Sequence, residues 1–272
     1  ELANLAWSFA TRAVAHAPLM DAISAAAIRP MSHWSAQDIS NTAWAFATLA
    51  VTDVPLSEAL SASARRPISF YRAQEHANTA WAFAKRAWLD QPLLASISAA
   101  ALRPMSDFDM QNLANTAWAF AKLAVAHEPL LAALSAAAIR PIAAFDRQGL
   151  SNTAWACSAR QVADAPLLDA IAASALRRCR DFDTQNIANT AWAFSRLSVG
   201  HPPLLDALAA SSISSMRQAT PQDLCNTLWA FARRTVCADP LLDAISSAAI
   251  AKLREICSMG LSNISWSYAA LQ

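Results

Sequence analysis

The chain repeats one pattern of apolar and polar positions every 37 residues, without insertions or deletions. In the stretch NTAWAFA, which begins at Asn41 and returns at Asn78 and Asn115, a tryptophan follows an asparagine by three residues. The tryptophans of this series are Trp7, Trp44, Trp81, Trp118, Trp155, Trp192, Trp229 and Trp266. A fixed period of this length predicts a solenoid, in which each repeat buries its apolar face against its neighbours.

Within each repeat, the pattern predicts two helices, which we call A and B. Helix A begins at a capping box, such as Ser35 with Asp38, and extends over about 16 residues. Helix B begins near a proline such as Pro55, because proline suits the first turn of a helix. The sequence therefore predicts an all-α fold, a right-handed α-solenoid of helix-turn-helix repeats with a 37-residue period.

The repeats predict one solenoid array of about seven units over residues 1–272. Helix A is expected to begin near residues 36, 73, 110, 147, 184, 221 and 258. The chain begins and ends inside a helix A pattern, and neither end carries the polar capping repeat that closes a solenoid. We therefore expect the chain to be a slice of a longer array.

Helix A has two contrasting faces when successive residues are placed about 100° apart. In the copy around Asn115, the apolar arc holds Leu113, Ala117, Phe120, Ala121 and Ala124, with Trp118 at its edge. The opposite arc holds Gln111, Asn115, Ala119 and Lys122. We interpret the tryptophans as packing between repeats, with base stacking as the alternative. Cys157 replaces the phenylalanine in one copy and is interpreted as a small core residue.

A glutamine and an asparagine recur together on the polar arc and are the first candidate binding residues. They are Gln37 and Asn41, Gln74 and Asn78, Gln111 and Asn115, Gln148 and Asn152, Gln185 and Asn189, and Gln222 and Asn226. One interpretation is an amide ladder that joins neighbouring repeats. The other is a row of amides that faces a ligand groove, with the alanine four residues after each asparagine allowing the ligand backbone to approach. Both interpretations stay open, and both can hold.

Basic residues recur at the end of helix A and share the face of the asparagines. They are Lys85, Lys122, Arg196 and Arg233, and Arg160 joins them from the neighbouring position. Cations suit a helix C-terminus, but a basic stripe beside a row of amides also suits an extended polyanion. The neighbouring position alternates between Arg and Leu from Arg12 to Leu271, and the pattern itself suggests no reason for this rhythm.

The position three residues before the asparagine varies among polar residues and glycine. Its residues are Asp38, Glu75, Asn112, Gly149, Asn186 and Asp223. This position is the best candidate for variable base readout, but capping explains most of the variation. Asp occurs here where the N-cap is Ser or Thr, and Asn or Gly where the N-cap is Asp, because two acids at one helix start would repel.

Composition narrows the classes of function. Apolar residues make up 55% of the chain, but proline and charge interrupt every apolar run, so no membrane insertion is expected. The net charge of +1 means that a nucleic-acid site would depend on where the basic residues lie. The five cysteines contain no CxxC pair, which argues against a zinc site or a disulfide framework. They are Cys157, Cys179, Cys225, Cys237 and Cys257.

The chain carries no pattern typical of catalysis. No nucleophile–base pair, glycine-rich loop or carboxylate pair stands out, and His16, His127 and His201 lie far apart in one loop column. We therefore expect no enzyme activity, no cofactor, no metal and no small-molecule substrate. No targeting peptide is visible.

The stretch LANTAWAFAKLA at Leu113 to Ala124, followed by PLLAAL at Pro129 to Leu134, resembles the octotricopeptide repeat family and the related heptatricopeptide repeats. The resemblance covers the whole chain. It implies α-solenoids of chloroplasts or mitochondria that bind single-stranded RNA and act in RNA maturation, RNA stability, translation or ribosome assembly. It also implies RNA contacts on helix A, at the Gln, Asn and basic positions named above.

Two functional hypotheses follow. In the first, the chain is a non-catalytic organellar protein that binds single-stranded mRNA or rRNA along the helix A face, with cations on phosphates and amides on bases or ribose. In the second, it is a protein–protein interaction scaffold, or a subunit of a large organellar complex, that grips an extended peptide as armadillo repeats do. A continuous positive groove along helix A favours RNA, and a neutral groove favours a protein partner.

Overall fold

Side-chain caps determine where the helices begin. The computed structural model describes residues 1–234 and 239–271, which form α-helices joined by turns and short 3-10 segments. The hydroxyl of Ser35 accepts a hydrogen bond from the N–H of Asp38 at 3.2 Å, and the carboxylate of Asp38 accepts from the N–H of Ser35 at 3.3 Å. Thr220 and Asp223 form the same reciprocal pair at 3.2 and 3.0 Å. The predicted capping box of Ser35 and Asp38 is therefore present, and Thr220 and Asp223 form the same box.

The first of two compact units covers Glu1–Ala138. Its helices A are α1 (Leu2–Thr11), α3 (Ala36–Thr48), α5 (Ala73–Lys85) and α7 (Met110–Lys122). Its helices B are α2 (Ala17–Ile28), α4 (Val54–Ala64), α6 (Gln91–Ala101) and α8 (Glu128–Ile139). Within this unit, α1, α3, α5 and α7 pack on one another in chain order, and α4 packs on α2 and α6 in the same way.

The second unit covers Ile139–Gln272 and has the same organisation. Its helices A are α9 (Arg147–Ala159), α11 (Thr184–Arg196), α13 (Pro221–Arg233) and α15 (Ser258–Ala270). Its helices B are α10 (Ala165–Arg178), α12 (Pro202–Ser215) and α14 (Asp239–Ala251). Each unit is thus an all-α stack of helical hairpins in solenoid order, and no strand occurs within residues 1–234 and 239–271. A single array over residues 1–272 stays a prediction.

Phenylalanine and alanine side chains of helix A form the contacts between repeats. Phe46, Phe83, Phe120, Phe194 and Phe231 are at most 1% exposed. The alanines four residues after the asparagines are also buried, and they are Ala45, Ala82, Ala119, Ala156, Ala193 and Ala230. Small side chains at this position allow neighbouring helices to approach closely. The expectation that these alanines border a ligand groove is therefore wrong, because they are enclosed by the helix packing.

Helix A ends earlier than the sequence suggests, at a residue in the left-handed conformation. The helix α3 has 13 residues, and Ala50 just beyond its C-cap has a φ of 57°. The N–H of Val51 donates to the carbonyl oxygen of Phe46 at 3.0 Å, which completes a Schellman motif. The same left-handed position recurs without glycine at Ala13, Ala50, Ala87, Ala124, Gln161 and Ser198. Ala124, expected on the apolar arc, therefore lies beyond the helix and is exposed.

The residues at the equivalent loop position before the helices B from α2 to α12 act as N-caps, and three of them are histidines. His16, His127 and His201 each accept a hydrogen bond at Nδ1, over 3.2 Å, from the backbone N–H three residues later. Asp53 and Asp90 stand in the same column and accept the equivalent bond at 2.9 Å. Each of these side chains satisfies a backbone donor that the start of a helix leaves free.

The described cysteines are free thiols. Cys157, Cys179 and Cys225 are buried and Cys257 is exposed, while Cys237 lies outside the described residues. Burial raises the pKa of the Cys157 thiol to about 12, as expected for a core residue in the place of phenylalanine. Among the described helices, none combines the length and the hydropathy needed to cross a membrane.

One repeat of the first unit buries two polar side chains at apolar positions. His76 stands where other repeats have Ile39 and Leu113, and it is 1% exposed. Its ring centroid lies 5.4 Å from that of Tyr71 and 6.5 Å from that of Phe108. Within the described residues, Nδ1 of His76 and the hydroxyl of Tyr71 have no hydrogen-bond partner. Burial lowers the pKa of His76 to about 4 and raises the pKa of Tyr71.

Replacing Ala50 with glycine is expected to raise the free energy of unfolding by about 0.5–1 kcal/mol, because glycine adopts a positive φ without the steric strain of alanine. The matched control is Ala25→Gly, since Ala25 is also exposed but lies inside α2, where glycine costs about 1 kcal/mol. Urea unfolding followed by circular dichroism measures both variants. A loss of stability in Ala50→Gly would contradict the left-handed helix end.

The first unit is expected to lose stability as the pH falls from about 6.5, the pKa of an unfolded histidine, towards about 4. The folded-state pKa of His76 is the lower one, so the unfolded chain binds more protons in this window and the stability present above it is lost. His76→Leu should remove this pH dependence and raise the free energy of unfolding, because leucine occupies the equivalent position at Leu113. Urea unfolding at pH 7 and pH 5 tests this, with the exposed His33→Leu as the control. An unchanged pH dependence in His76→Leu would contradict it.

Candidate nucleic-acid interface

Four positions of helix A form one exposed band, which we call the helix A stripe. They hold a glutamine, an asparagine, a tryptophan and the last-turn residue, at spacings i, i+4, i+7 and i+11. These spacings fall within about 60° of the helix circumference. On α5, the stripe consists of Gln74, Asn78, Trp81 and Lys85. The glutamine and the lysine are exposed, and the asparagine and the tryptophan are partly exposed.

Both units carry the stripe. In the first unit it contains Gln37, Asn41, Trp44, Gln74, Asn78, Trp81, Lys85, Gln111, Asn115, Trp118 and Lys122. In the second unit it contains Gln148, Asn152, Trp155, Gln185, Asn189, Trp192, Arg196, Gln222, Asn226, Trp229 and Arg233. Apart from Arg160, every amide and cation that the sequence predicts as an RNA contact therefore lies on this stripe.

The stripe tryptophans contact each other between repeats. The ring centroids of Trp44 and Trp81 are 6.4 Å apart in the first unit. In the second unit, Trp192 lies 6.5 Å from Trp155 and 6.3 Å from Trp229, with interplanar angles of 23° and 41°. The predicted packing between repeats is confirmed for these pairs. It occurs at the surface, because the rings remain partly exposed.

Cations of the stripe lie over the tryptophan rings. Nζ of Lys85 is 5.5 Å from the ring centroid of the tryptophan one turn before it, and the guanidinium carbons of Arg196 and Arg233 are 5.2 and 5.4 Å from theirs. Nε of Arg196 also donates to the carbonyl oxygen of Ser158 at 3.3 Å, and Nε of Arg233 to that of Ser195 at 3.2 Å. Both carbonyls lie near the C-terminus of the preceding helix A, where the helix dipole is negative. The arginines thus join neighbouring helices while their charge stays at the surface.

Most stripe amides have free hydrogen-bonding groups. Among the described residues, one hydrogen bond involves the side chain of a stripe Gln or Asn, from Nε2 of Gln222 to Oδ1 of Asn226 at 2.8 Å. Both residues belong to α13, so an amide ladder between repeats is absent from residues 1–234 and 239–271. The amides are therefore available to a ligand.

A small polar pocket lies between two stripes of the first unit. Gln37 and Asn41 border it on α3, and Gln74 and Asn78 border it on α5, next to the ion pair of Arg72 with Glu75. Its volume is about 130 Å³, well below the ~300–1,000 Å³ of sites for drug-sized molecules. A pocket of this size and polarity suits part of a larger ligand, such as the edge of a base or a ribose.

The residues at the proposed readout position lie in the first turn of helices A, and most of them are buried. Glu75, Asn112, Asn186 and Asp223 are at most 8% exposed, and Gly149 is also buried. Asp38 is partly exposed and belongs to a capping box. Burial of this kind favours the capping interpretation over base readout, because little of these side chains is accessible at the surface.

Most hydrogen bonds at these positions are those of helix caps, and the side chains of Asn186 and Asp223 also bond Ser151 and Thr184 of the preceding repeat. The N–H groups of Asn112 and Gly149 donate to the preceding N-cap aspartates at 2.7 and 2.6 Å. The carboxylate of Glu75 accepts from the N–H of Arg72 at 2.7 Å and pairs with its guanidinium at 2.8 Å. The backbone donors at the helix start are thereby satisfied.

Arg160 lies off the stripe, at the C-cap of α9, and its Nε is buried without a hydrogen-bond partner among the described residues. The whole alternating Arg/Leu column occupies this C-cap position. Arg86 donates to the hydroxyl of Thr52 in the loop of the preceding repeat. The guanidinium of Arg234 lies beside Gly200 at the same loop position, where a Cβ atom would be 3.1 Å from it. These two arginines therefore each contact the loop of the preceding repeat, one at a hydroxyl and the other at a glycine.

The sequence prediction assigned the tryptophans to packing and left them out of the binding face. Trp118 is at the edge of the apolar arc, and an edge residue borders the polar arc as well. The spacing from Gln111 to Trp118 is i+7, which places the two side chains on one face of a helix. That spacing is the signal in the sequence that identifies the tryptophans as part of the stripe.

A known family matches the chain in two consecutive stretches. A family model described as RNA-editing substrate-binding complex 6 protein matches residues 1–165 and again residues 165–272. This family is distinct from the octotricopeptide and heptatricopeptide repeats that the sequence resembles. The match does agree with the more general expectation that the chain is a helical repeat protein of an RNA-associated family. No curated protein matches the chain significantly.

Asp223→Ala is expected to lower the free energy of unfolding by about 1–2 kcal/mol, because it removes a capping box and a 3.3 Å hydrogen bond from the hydroxyl of Thr184. The neighbouring Gln222→Ala is the matched control. Gln222 is exposed, so its loss should change stability by no more than about 0.5 kcal/mol. Urea unfolding measures both variants. Equal, near-zero effects would contradict the capping role and reopen the readout hypothesis.

Proposed function

The chain belongs to the RNA-editing substrate-binding complex 6 family, and we propose that it is a non-catalytic repeat protein that binds single-stranded RNA along its helix A stripes. The observation that carries the proposal is the recurrence of one exposed set of amides, tryptophans and cations on successive helices A. Amides bind base edges or ribose, aromatic rings stack on bases, and cations bind phosphates.

The stripe amides support a polar polymer as the ligand. Their donors and acceptors are free except in the pair of Gln222 and Asn226, and they recur once per repeat. A ligand with regularly spaced polar groups would satisfy them repeatedly, whereas a small molecule would meet one set alone. The proposed ligand is therefore an extended strand of mRNA or rRNA.

The proposed setting is a ribonucleoprotein complex. The name of the matched family refers to a complex that binds the substrates of RNA editing, so we propose protein partners in addition to RNA. The proposed location is an organelle, as the resemblance to organellar repeat proteins implies, and the mitochondrion is favoured over the chloroplast. Roles in RNA maturation, stability, translation or ribosome assembly belong to this proposal.

A protein scaffold is the second candidate, and the low net charge of +1 favours it. In that case the free amides would bind the backbone of an extended peptide, with its side chains lying between the tryptophan rings. The two candidates differ in their response to salt, because only a polyanion releases counterions when lysine and arginine bind it.

The chain is expected to bind single-stranded RNA with an affinity that falls as salt rises. Changing Lys85, Lys122, Arg196 and Arg233 to glutamine should weaken binding and flatten the plot of log K against log salt. The slope should fall by about 0.7 for each phosphate contact removed. Fluorescence anisotropy with a labelled random-sequence RNA, at several salt concentrations, measures both quantities.

A second variant with the same loss of charge serves as the control. It replaces Arg29, Arg66, Arg103 and Arg177, which are exposed at the ends of helices B, with glutamine. This variant should keep most of the affinity if the stripe binds RNA. Equal loss in the two variants would show non-specific attraction, and no binding by the unchanged chain would overturn the proposed function.

A further inference from the structure

Tryptophan is a more regular feature of the stripe than positive charge. In the first unit, Trp44, Trp81 and Trp118 all belong to it, but the last-turn residue of α3 is Thr48. In the second unit, three tryptophans again occur with two arginines, because α9 ends at Ala159. Each unit thus presents an aromatic ring on every complete stripe and a cation on two of every three.

The tryptophans are not required to fill the core. The phenylalanine two residues after each tryptophan is fully buried in most repeats, as at Phe46, Phe83 and Phe194, and it fills the space between helices. The stripe tryptophans are partly exposed instead. A large aromatic ring that recurs at a partly exposed position offers a π-surface to a partner.

Three stripe cations lie over the tryptophan rings. Arg196 and Arg233 are held over their tryptophans by hydrogen bonds to carbonyl groups of the preceding helix. A guanidinium group held in this way can stack on a base and also attract the phosphate next to it. Each of these tryptophans, together with its arginine, therefore forms a surface that suits one nucleotide, which has a flat base and an anionic phosphate.

The stripe amides lie where they can contact the edge of a base that stacks on the tryptophan. Asn189 and Gln185 precede Trp192 on the same face of α11 by one and two helical turns. Their side chains make no hydrogen bond within the described residues. A base stacked on the ring would present its edge or ribose towards these groups, which accept any base because an amide carries both donors and an acceptor.

We propose that the stripe recognises single-stranded RNA mainly by stacking unpaired bases on its tryptophans, with phosphate contacts as the smaller contribution. This inference rests on the proposed function and specifies its mode of recognition. Such recognition would suit a chain with a net charge of +1, since stacking depends little on net charge. It also predicts selectivity for single strands, because the bases of a duplex are stacked on each other.

An RNA strand without bases separates stacking from charge. We would compare a 12-nucleotide oligouridine with an abasic ribose-phosphate strand of the same length and with a 12-base-pair RNA duplex. Stacking contributes about 1–3 kcal/mol per base, so the oligouridine should bind at least about tenfold more tightly than the abasic strand or the duplex. Quenching of intrinsic tryptophan fluorescence should accompany binding of the oligouridine and not of the abasic strand.

Two variants that each lose two tryptophans test whether the bases stack on the stripe. Trp81→Leu combined with Trp192→Leu removes one stripe ring from each unit, and leucine retains apolar packing. Trp34→Leu combined with Trp88→Leu removes two rings outside the stripe. The first variant should bind oligouridine at least about tenfold more weakly and lose the preference over the abasic strand. The second should bind as the unchanged chain does, with circular dichroism confirming that both variants are helical.

The outcomes distinguish this inference from the proposed function. Equal affinity for oligouridine and the abasic strand would overturn stacking while RNA binding itself stands, and this comparison needs no variant. Unchanged binding in the folded Trp81→Leu and Trp192→Leu variant would also overturn it. Absence of binding to all three nucleic acids would overturn the proposed function, and binding of an extended peptide in that case would support the scaffold.

Discussion

Close packing of successive helices A through alanine is the constraint on which the rest of each unit depends. Ala45, Ala82 and Ala193 are fully buried, and each lies next to a buried phenylalanine. A larger side chain at these positions would force the helices apart, because a packed core tolerates added volume poorly. The spacing of the helices in turn brings the tryptophan rings within 6.3–6.5 Å of each other. It also brings the arginines of one helix to the last carbonyl groups of the preceding helix.

The same packing gives the two aromatic residues of the repeated motif different positions. In NTAWAFA, the phenylalanine enters the core between helices, and the tryptophan two residues earlier lies at the surface. The asparagine three residues before the tryptophan stays partly exposed with its amide free. One helix therefore supplies both the contact that builds the stack and the face that a partner can bind, because residues two positions apart point in different directions on a helix.

The placement of charge leaves the last turns of several helices A basic although the chain is nearly neutral. Asp53 and Asp90 cap helices B, and Asp109 and Asp146 cap helices A, so these negative charges are tied to the positive ends of helix dipoles. The cations of the stripe instead lie at the ends of helices A, and Lys85, Arg196 and Arg233 lie over aromatic rings. Acidic and basic residues thus lie at opposite ends of helices A. A local surface can therefore be basic while the net charge of the chain is +1.

The sequence by itself determined the repeat, the two helices of each repeat and the residues at which helices A begin. The fixed period, the caps and the amphipathic pattern are local properties, and hydrogen bonding between near neighbours in the chain is enough to establish them. It also identified the amides and cations that share the exposed face, since helical spacing alone places them there.

Only the tertiary structure decided which of these side chains are accessible. It buried the alanines and the readout position, left the tryptophans at the surface, moved Arg160 to a helix C-cap and placed His76 among apolar neighbours. Each of these results depends on the distance and the rotation between neighbouring helices. Those quantities are set by side chains about 37 residues apart in the chain, which the periodicity of one helix cannot describe.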